Sequence, residues 1–298
     1  MADKHILHML SPLKHVSPFD VNMALDAGFD SVTPYAGVTL AEVTGLVQDA
    51  IYSRSPKDGV KTGVFIGGKD AIAALDMMEA ARKAMVPPFI VSLFADPAGS
   101  FTTAAALVAR VERTLRQKHQ RGLQGLRLVV YGATGVVGFA SAVIAALEGA
   151  EVTLAGYDGL TRVTRAAEEI HHRFGVTTHP ADASTETLKA ALLSRAEAAF
   201  CTGRAGVTIL GKAMLQAASG LQVVADVNAV PPPGVEGLDV MADGVPINGS
   251  QLLGIGALAI GQTKYQTEYG MFRQMIESSK PVALDFRQAF VLARERAS

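Results

Sequence analysis

A glycine-spaced turn between two regular segments has the clearest chemical meaning in this sequence. The apolar run 126–131 leads directly into Gly132, Gly135 and Gly138, and the small-residue run 139–147 follows. This order predicts a strand, a tight turn and the start of a helix. Glycines let the backbone approach a pyrophosphate closely, and the N–H groups and dipole of a helix start favour its negative charge. The turn is a candidate dinucleotide site, although its GxxGxxG spacing is not the usual GxGxxG and a tight turn by itself also requires glycine.

Residues that follow the neighbouring predicted strands are further candidates, because ligands bind outside the carboxyl ends of strands in open α/β sheets. Asp158 follows the second strand and could accept hydrogen bonds from the adenosine ribose, which favours NAD, or could instead cap the next helix. Arg162 and Arg165 nearby could accommodate the 2′-phosphate of NADP. With the residues that follow the fourth and fifth strands, the candidate cofactor-binding residues are Gly132, Ala133, Thr134, Gly135, Val136, Val137, Gly138, Tyr157, Asp158, Arg162, Thr202, Gly203, Asp226 and Asn228.

Polar residues also follow two predicted strands of the N-terminal region. Lys14, His15 and Asp20 lie around the first strand-to-helix junction, and the polar segment 96–103 follows the fourth strand. A structural explanation competes for Asp20, because Ser17 is a good N-cap and an acid at the third helical position complements the helix dipole. Lys14 and His15 could likewise be solvated loop residues.

Several chemistries lack their signatures. The seven histidines show no HxxxH or HExxH spacing, so a metal is not indicated. The single cysteine, Cys201, excludes an intramolecular disulfide framework and suits a reducing compartment. No tyrosine is followed four residues later by lysine, so the Tyr-Lys pair of short-chain dehydrogenases and of bifunctional methylene-tetrahydrofolate dehydrogenase/cyclohydrolases is missing.

Composition narrows the class of protein further. A length of 298 residues suggests two domains, and 49% hydrophobic against 18% charged residues supports a sizeable core. The net charge of -1 and the lack of a basic run argue against nucleic acid as a partner. With no apolar segment of spanning length and no signal peptide, we expect a cytoplasmic protein without membrane association.

Strand and helix patterns alternate along the chain, which predicts an α/β fold with open, mostly parallel sheets. Asp70 and Ser100 are predicted to cap the helices that end at 84 and that span 102–118, and the polar segment 118–125 is predicted to link two domains. The predicted strands are 5–9, 31–35, 62–66, 89–94, 126–131, 151–155, one near Val176, 198–202 and 222–226. The other predicted helices are 18–27, 40–50, 136–148, 160–173, 185–194 and 208–217, with helical patterns at 264–278 and 282–294.

Five segments in the same order, distributed over essentially the whole chain, resemble the bacterial NAD(P)-dependent methylene-tetrahydromethanopterin dehydrogenases. They are 6–23 (ILHMLSPLKHVSPFDVNM), 63–69 (GVFIGGK), 94–103 (FADPAGSFTT), 226–232 (DVNAVPP) and 254–266 (GIGALAIGQTKYQ). The resemblance is closer to the branch that accepts NAD and NADP than to the strictly NADP-dependent branch, which has arginine where this chain has Tyr157.

The resemblance implies two α/β domains with a cleft between them. The N-terminal one, 1–122 completed by helices in 265–298, would bind the pterin, and 123–264 would form a Rossmann-like, doubly wound NAD(P)-binding domain. The implied reaction oxidises methylene-tetrahydromethanopterin, or a close bacterial analogue, to the methenyl form during the one-carbon oxidation of formaldehyde in methylotrophy. A homo-oligomer is also expected, with NAD or NADP as cofactor.

The resemblance also suggests site residues. Asp20 is the candidate for stabilising positive charge that develops on the substrate, and Lys264, at the matching family lysine, for positioning the pterin by hydrogen bonds. Because nitrogen lone pairs stabilise the product cation, hydride transfer needs no general base, so the missing Tyr-Lys pair is no obstacle. The candidate substrate-binding residues are Lys14, His15, Asp96, Gly99, Ser100, Thr102 and Thr103.

Two alternatives remain open on the sequence. One is a methylene-tetrahydrofolate dehydrogenase, which performs the same hydride transfer on a different pterin. The other is a non-catalytic regulatory protein that senses NAD(P), since GATGxxG turns also occur in such proteins. The latter leaves the polar residues of the first domain unexplained. The preference between NAD and NADP is not decided by these patterns.

Overall fold

A computed structural model describes residues 4–297, and the chain divides into two compact α/β units. The first unit contains the residues up to Thr102 and the segment Tyr265–Leu292, and the second contains Thr103–Lys264 and the residues from Ala293 onward. Among the described residues, no helix combines the length and the apolar character that crossing a bilayer requires.

The strands are β1 (Ile6–Ser11), β2 (Ser31–Ala36), β3 (Thr62–Ile66), β4 (Ser92–Ala95), β5 (Arg127–Tyr131), β6 (Glu151–Gly156), β7 (His179–Asp182), β8 (Ala198–Cys201), β9 (Val223–Asp226), β10 (Asp243–Pro246), β11 (Leu253–Ile255) and β12 (Ala283–Leu284). The α-helices are α1 (Pro18–Asp26), α2 (Leu40–Tyr52), α3 (Ala71–Lys83), α4 (Ser100–His119), α5 (Val136–Leu147), α6 (Leu160–Phe174), α7 (Glu186–Leu193), α8 (Lys212–Ala217), α9 (Ala257–Glu277) and α10 (Phe286–Ala297).

The first unit is built on a five-stranded parallel sheet in the order β12, β4, β3, β1, β2. Every residue of β3 and β4 is buried, as expected for central parallel strands whose two faces are both covered. Phe65 on β3 and Phe94 on β4 pack against Phe272 of α9, with ring centroids 5.1–5.5 Å apart. These rings form the centre of the first core.

The second unit is built on a seven-stranded sheet in the order β10, β11, β9, β8, β5, β6, β7. All neighbours are parallel except β10 and β11. From β7 to β11 this is the strand order of the doubly wound dinucleotide-binding fold, and the chain direction across the sheet reverses between β5 and β8. The predicted α/β class and the predicted strand at 126–131 are confirmed.

Local helix signals were accurate at two of the three predicted caps. The hydroxyl of Ser17 accepts a 3.4 Å hydrogen bond from the Asp20 amide, and the carboxylate of Asp70 accepts a 2.8 Å bond from the Ala73 amide. The prediction that Ser100 caps the fourth helix is wrong. The helix already begins at Ser100, because the 3₁₀ turn Pro97–Gly99 brings the carboxylate of Asp96 to the helix start.

Four other predictions are displaced in the structure. The strand predicted near Val176 is β7, which begins at His179. The helix predicted at 208–217 begins only at Lys212, because the amides of Ile209 and Leu210 donate to the Gly234 carbonyl (2.8 and 3.0 Å) and Leu210 forms an isolated parallel bridge with Val235.

The other two displacements are in the first unit. The strand predicted at 89–94 is β4, which begins at Ser92, because Val86 and Phe89 instead form a separate antiparallel bridge. The tail predicted as helical at 282–294 begins with the short strand β12, and α10 starts only at Phe286.

Candidate functional site

The reversal point of the second sheet is formed by two loops in very close contact. The loop after β5 begins at Gly132, which has a φ of +85°, and the loop after β8 contains Thr202 and Gly203. A Cβ atom on Gly132 would lie 2.5 Å from the Gly203 nitrogen and 2.6 Å from the Thr202 carbonyl carbon. Only glycine fits there, on both conformational and steric grounds.

The first turn of α5 packs onto the same loop. A Cβ atom on Gly138 would lie 2.3 Å from the Gly132 carbonyl oxygen and 2.6 Å from the Thr202 hydroxyl. Gly135 is the N-cap of α5, and its amide donates a 3.0 Å hydrogen bond to the Gly132 carbonyl. The three glycines therefore make a backbone cradle at a helix N-terminus, which is the geometry that binds a pyrophosphate.

A cavity of about 640 Å³ opens on this cradle, within the size range of small-molecule and cofactor sites. Half of the predicted cofactor residues line it, namely Gly132, Thr134, Gly135, Tyr157, Arg162, Thr202 and Gly203. The other half do not, namely Ala133, Val136, Val137, Gly138, Asp158, Asp226 and Asn228. The cradle and the cavity fit a dinucleotide that spans the reversal point.

Sequence reasoning missed several lining residues. Ser184, the second residue after β7, was missed because that strand was predicted too early. Thr208 and Ile209 were missed because their loop was predicted as helix. Arg204 directly follows the predicted pair Thr202 and Gly203. The lining residues not predicted are Tyr131, Ala155, Ala183, Ser184, Lys189, Arg204, Val207, Thr208 and Ile209.

At the end of β6, three exposed side chains contact one another. Arg162 Nη1 lies 3.3 Å from Asp158 Oδ2 and 3.1 Å from the Tyr157 hydroxyl, and its guanidinium carbon lies 5.7 Å from the Tyr157 ring centroid. The hydrogen bond that Arg162 donates to the Asp158 carboxylate raises the pKa of Arg162. The alternative that Asp158 caps α6 is wrong, because the N-cap is Gly159 and no side chain caps it.

The loop after β9 is held by its own polar residues. The buried carboxylate of Asp226 accepts hydrogen bonds from the amides of Asn228 (2.9 Å), Gly234 (2.6 Å) and Val235 (3.2 Å). Burial raises the pKa of Asp226, and these amides oppose that shift. The Asn228 side chain accepts from the Val230 amide at 2.9 Å. Both residues shape the proline-containing loop, and their contact with a cofactor remains a prediction.

In the first unit, the candidate substrate residues follow two strands that flank β3. Because β1, β3 and β4 are parallel neighbours, the loops after β1 and β4 emerge at the same edge of the sheet. Lys14 and His15 are exposed in the first loop, whereas Asp20, in the first turn of α1, is only 4% exposed. The sheet thus brings the predicted substrate residues of this unit to one edge.

The second of these loops contains a buried network. Asp96 accepts hydrogen bonds from the Phe101 amide (2.8 Å) and the Thr102 amide (3.2 Å), and so caps α4. Asp96 and Thr102 are fully buried, Gly99 is buried within the same turn, and Ser100 and Thr103 are half-buried. Ser100 and Thr103 are therefore the more accessible of the predicted substrate residues in this loop.

Lys264 is half-buried on α9, in the part of that helix assigned to the second unit. The preceding residue, Thr263, accepts a 2.7 Å hydrogen bond from Nε of the buried Arg110. Nη1 of Arg110 also donates to Asp243 at 2.5 Å, and Arg113 pairs with the same carboxylate. Burial alone would raise the pKa of Asp243, but the two arginines outweigh it and hold that pKa below its usual range.

Within residues 4–297, no group of three or more His, Cys, Asp or Glu side chains is arranged to hold a metal ion. The thiol of Cys201 is buried on β8, and burial raises its pKa.

Solved structures define the class of fold. Shikimate 5-dehydrogenase from Listeria monocytogenes, in complex with shikimate and NAD, is 15% identical, with a TM-score of 0.51 over 91% of this chain and 92% of that chain. Quinate dehydrogenase from Corynebacterium glutamicum, in complex with NAD, is 13% identical, with a TM-score of 0.53 over 97% of this chain and 99% of that chain. The chain has the fold of these α/β dehydrogenases.

Sequence comparison identifies the family within that class. Residues 18–98 match the family model described as methylene-tetrahydromethanopterin dehydrogenase, N-terminal. The chain is 52% identical over 294 residues to the NAD(P)-dependent methylenetetrahydromethanopterin dehydrogenase of Methylorubrum extorquens, covering 99% of both proteins. It belongs to the NAD(P)-dependent methylenetetrahydromethanopterin dehydrogenase family, which confirms the resemblance noted in the sequence.

Proposed function

We propose that this protein transfers a hydride from 5,10-methylene-tetrahydromethanopterin to NAD⁺ or NADP⁺ and produces methenyl-tetrahydromethanopterin and NAD(P)H. The observation that carries the proposal is the 52% identity over essentially the full length of a dehydrogenase named for this reaction. The reaction is a step in the oxidation of formaldehyde through pterin-bound one-carbon units.

The second unit binds the cofactor. The backbone N–H groups of the loop 132–138 hold the pyrophosphate, and the N-terminus of α5 adds its dipole to their charge. Tyr157, Asp158 and Arg162 contact the adenosine end, and Thr202, Gly203 and the Asp226–Asn228 segment lie along the remainder of the site. When bound, the nicotinamide accepts the hydride, and the protein supplies placement rather than acid–base chemistry.

The first unit, completed by C-terminal helical segments, binds the pterin. The methylene carbon lies between two nitrogens, whose lone pairs stabilise the amidinium cation that remains after hydride departure. The carboxylate of Asp20 stabilises that developing charge, and its burial strengthens the electrostatic interaction relative to water. Lys264 orients the pterin by hydrogen bonds, because its positive charge would oppose the cation.

The remaining candidate substrate residues lie at the edge of the first sheet. Ser100 and Thr103 are half-buried and able to donate hydrogen bonds to the pterin, with Lys14 and His15 at the exposed side of the same edge. Gly99 has no side chain and so leaves room for the pterin beside them, whereas Asp96 and Thr102 mainly hold the loop in place by their hydrogen bonds. We further propose a cytoplasmic homo-oligomer that binds neither membrane nor nucleic acid, a choice supported by the net charge of -1.

A spectrophotometric assay of purified protein tests this function. Methylene-tetrahydromethanopterin and methylene-tetrahydrofolate are each combined with NAD⁺ and with NADP⁺, and reduced cofactor is measured by absorbance. We expect efficient turnover only with the methanopterin substrate. Preference for the folate substrate would favour a methylene-tetrahydrofolate dehydrogenase, and cofactor binding without turnover on either pterin would favour the regulatory alternative.

A further inference from the structure

The contact between Asp158 and Arg162 carries a second conclusion, which rests on the proposed NAD(P) function. We propose that Asp158 sets the balance between the two cofactors by competing with the 2′-phosphate of NADP for the guanidinium of Arg162. In this model, Arg162 changes partner with the cofactor, from the carboxylate when NAD is bound to the phosphate when NADP is bound.

The fold fixes the positions of these two residues. A Cβ atom on Gly156, the last residue of β6, would lie 2.1 Å from the Gly159 carbonyl oxygen and 3.0 Å from Val163 Cγ2. The turn that contains Asp158 is therefore held tightly against the start of α6, which begins at Leu160. Arg162, in the first turn of that helix, faces the cavity that opens on the glycine cradle, whereas Asp158 does not line that cavity.

The position of the pair relative to the cradle identifies the part of the ligand that it meets. β6 is the neighbour of β5 on the side away from β8. With the pyrophosphate at the cradle after β5, the adenosine ribose lies beyond the carboxyl end of β6 in a doubly wound sheet. A 2′-phosphate on that ribose projects towards residues that line the cavity at this end, and Arg162 is the cationic one in the first turn of α6.

The existing pair is suited to exchange. Both side chains are partly exposed, Arg162 at 49% and Asp158 at 37%, and ion pairs of this kind contribute little because solvent screens them. A phosphate monoester has nearly twice the charge of a carboxylate and accepts more hydrogen bonds. The N-terminus of α6 favours the phosphate as well, since the helix dipole attracts anions there.

Two further contacts explain how both cofactors are accepted. The Tyr157 ring beside the guanidinium and the hydrogen bond from Arg162 Nη1 to the Tyr157 hydroxyl do not depend on Asp158. They keep Arg162 at the cavity whichever anion it binds. When NAD is bound, Asp158 is available as an acceptor for ribose hydroxyls, and its charge makes a nearby phosphate less favourable.

Two substitutions separate the roles. Asp158→Asn removes the competing charge and is expected to raise kcat/KM for NADP⁺ about 3- to 10-fold while lowering it for NAD⁺. Arg162→Gln is expected to lower kcat/KM for NADP⁺ at least about 10-fold and to lower it for NAD⁺ by a clearly smaller factor, so that the ratio of the two values shifts towards NAD⁺. Glu168→Gln, which removes an exposed carboxylate elsewhere on α6, is the matched control and should leave both values unchanged.

Binding of NADPH and NADH, titrated by fluorescence without any pterin, provides the second readout. The ratio of their Kd values should move in the same directions as the ratio of the kcat/KM values. If neither Asp158→Asn nor Arg162→Gln changes this binding ratio in protein with wild-type Tm, the exchange model is wrong. A wild-type protein that binds both cofactors but turns over neither pterin would instead contradict the proposed function and leave the binding test intact.

Discussion

The hydroxyl of Thr102 donates a 2.6 Å hydrogen bond to the carboxylate of Asp96, and both side chains are completely buried. The same carboxylate caps α4 through two backbone amides. Asp96 and Thr102 both lie in the segment 94–103, which resembles the family, and both were predicted to contact substrate. Their side chains hold the loop before α4 in place. A buried acceptor of this kind leaves several donors unsatisfied when its geometry is disturbed.

Replacing Thr102 by valine is expected to lower the free energy of unfolding by about 1–3 kcal/mol, because the Asp96 carboxylate loses a buried donor. Thr102→Ser keeps the hydroxyl and should lose less than about 1 kcal/mol. Urea denaturation of both variants measures the difference. If Thr102 only supports the loop, KM for the pterin stays within about twofold in folded Thr102→Val protein; a much larger KM would show direct contact with substrate.

Gly138→Ala is expected to weaken NADH and NADPH binding at least about 10-fold, since its Cβ would lie 2.3 Å from a backbone oxygen of the cradle. Gly45→Ala is the matched control, because a Cβ at this α2 position meets no atom within 4 Å. That control should bind cofactor normally and gain about 0.5–1 kcal/mol of stability from helix propensity. Equal cofactor affinity in the two variants would contradict the cradle.

Asp20→Asn should lower kcat about 10- to 100-fold with little change in cofactor affinity, because a neutral amide no longer stabilises the developing cation. The Ser17 cap and the helix remain, so the stability loss should stay near or below about 1 kcal/mol. Asp26→Asn, at the exposed end of the same helix, controls for removal of a carboxylate. Full turnover by Asp20→Asn would show that Asp20 serves only the helix.

Lys264→Met is expected to raise KM for the pterin about 10-fold or more and to change kcat less, as for loss of a positioning hydrogen bond. Methionine retains much of the length of the side chain, so packing on α9 is largely preserved. Steady-state kinetics at saturating cofactor measures the effect. An unchanged KM together with an unchanged kcat would remove Lys264 from the substrate site.

The pH dependence of stability should report on His8. Burial, and secondarily the charge of Arg54, lower the pKa of His8, whose ring nitrogen lies 3.1 Å from the Tyr35 hydroxyl. The unfolded chain then binds a proton near pH 6.5 that the folded chain binds only at lower pH, so stability falls as the pH decreases below about 6.5. His8→Gln should make this decrease less steep when the free energy of unfolding is measured by urea denaturation from about pH 7.5 to about 5. The difference in slope should be at most about 1.4 kcal/mol per pH unit. Parallel curves for wild type and variant would contradict this.

Features encoded within a few consecutive residues were predictable from the sequence. Ser17 and Asp70 cap their helices by contacts three residues away. The order of apolar run, spaced glycines and small-residue run predicted the strand, turn and helix at β5 and α5. The continuous apolar strands and their alternation with helices were enough to indicate the α/β class. Each of these signals involves residues that are close together in the sequence, so it could be recognised without knowledge of the tertiary structure.

Features that depend on distant partners were not predictable in the same way. Asp96 acts as the cap of α4 only because the turn Pro97–Gly99 folds back, with Ala98 at a φ of +54°. Asp226 accepts from the nearby Asn228 amide but also from the amides of Gly234 and Val235, eight and nine residues later, and these distant contacts could not be inferred from adjacent residues. Ile209 lies outside helix α8 because its amide donates to the carbonyl of Gly234, which overrides the helical pattern at 208–217.

The contact between Gly132 and Gly203 also limits how the cofactor site can change. Because two main chains meet there without intervening side chains, neither loop tolerates an insertion or a bulkier residue unless the other moves with it. Substitutions in this chain therefore have more freedom at the exposed residues Tyr157, Asp158 and Arg162 than at the contact between the two glycines. A redesign of the preference between NAD and NADP would best leave the loops after β5 and β8 unchanged and vary only these three exposed residues.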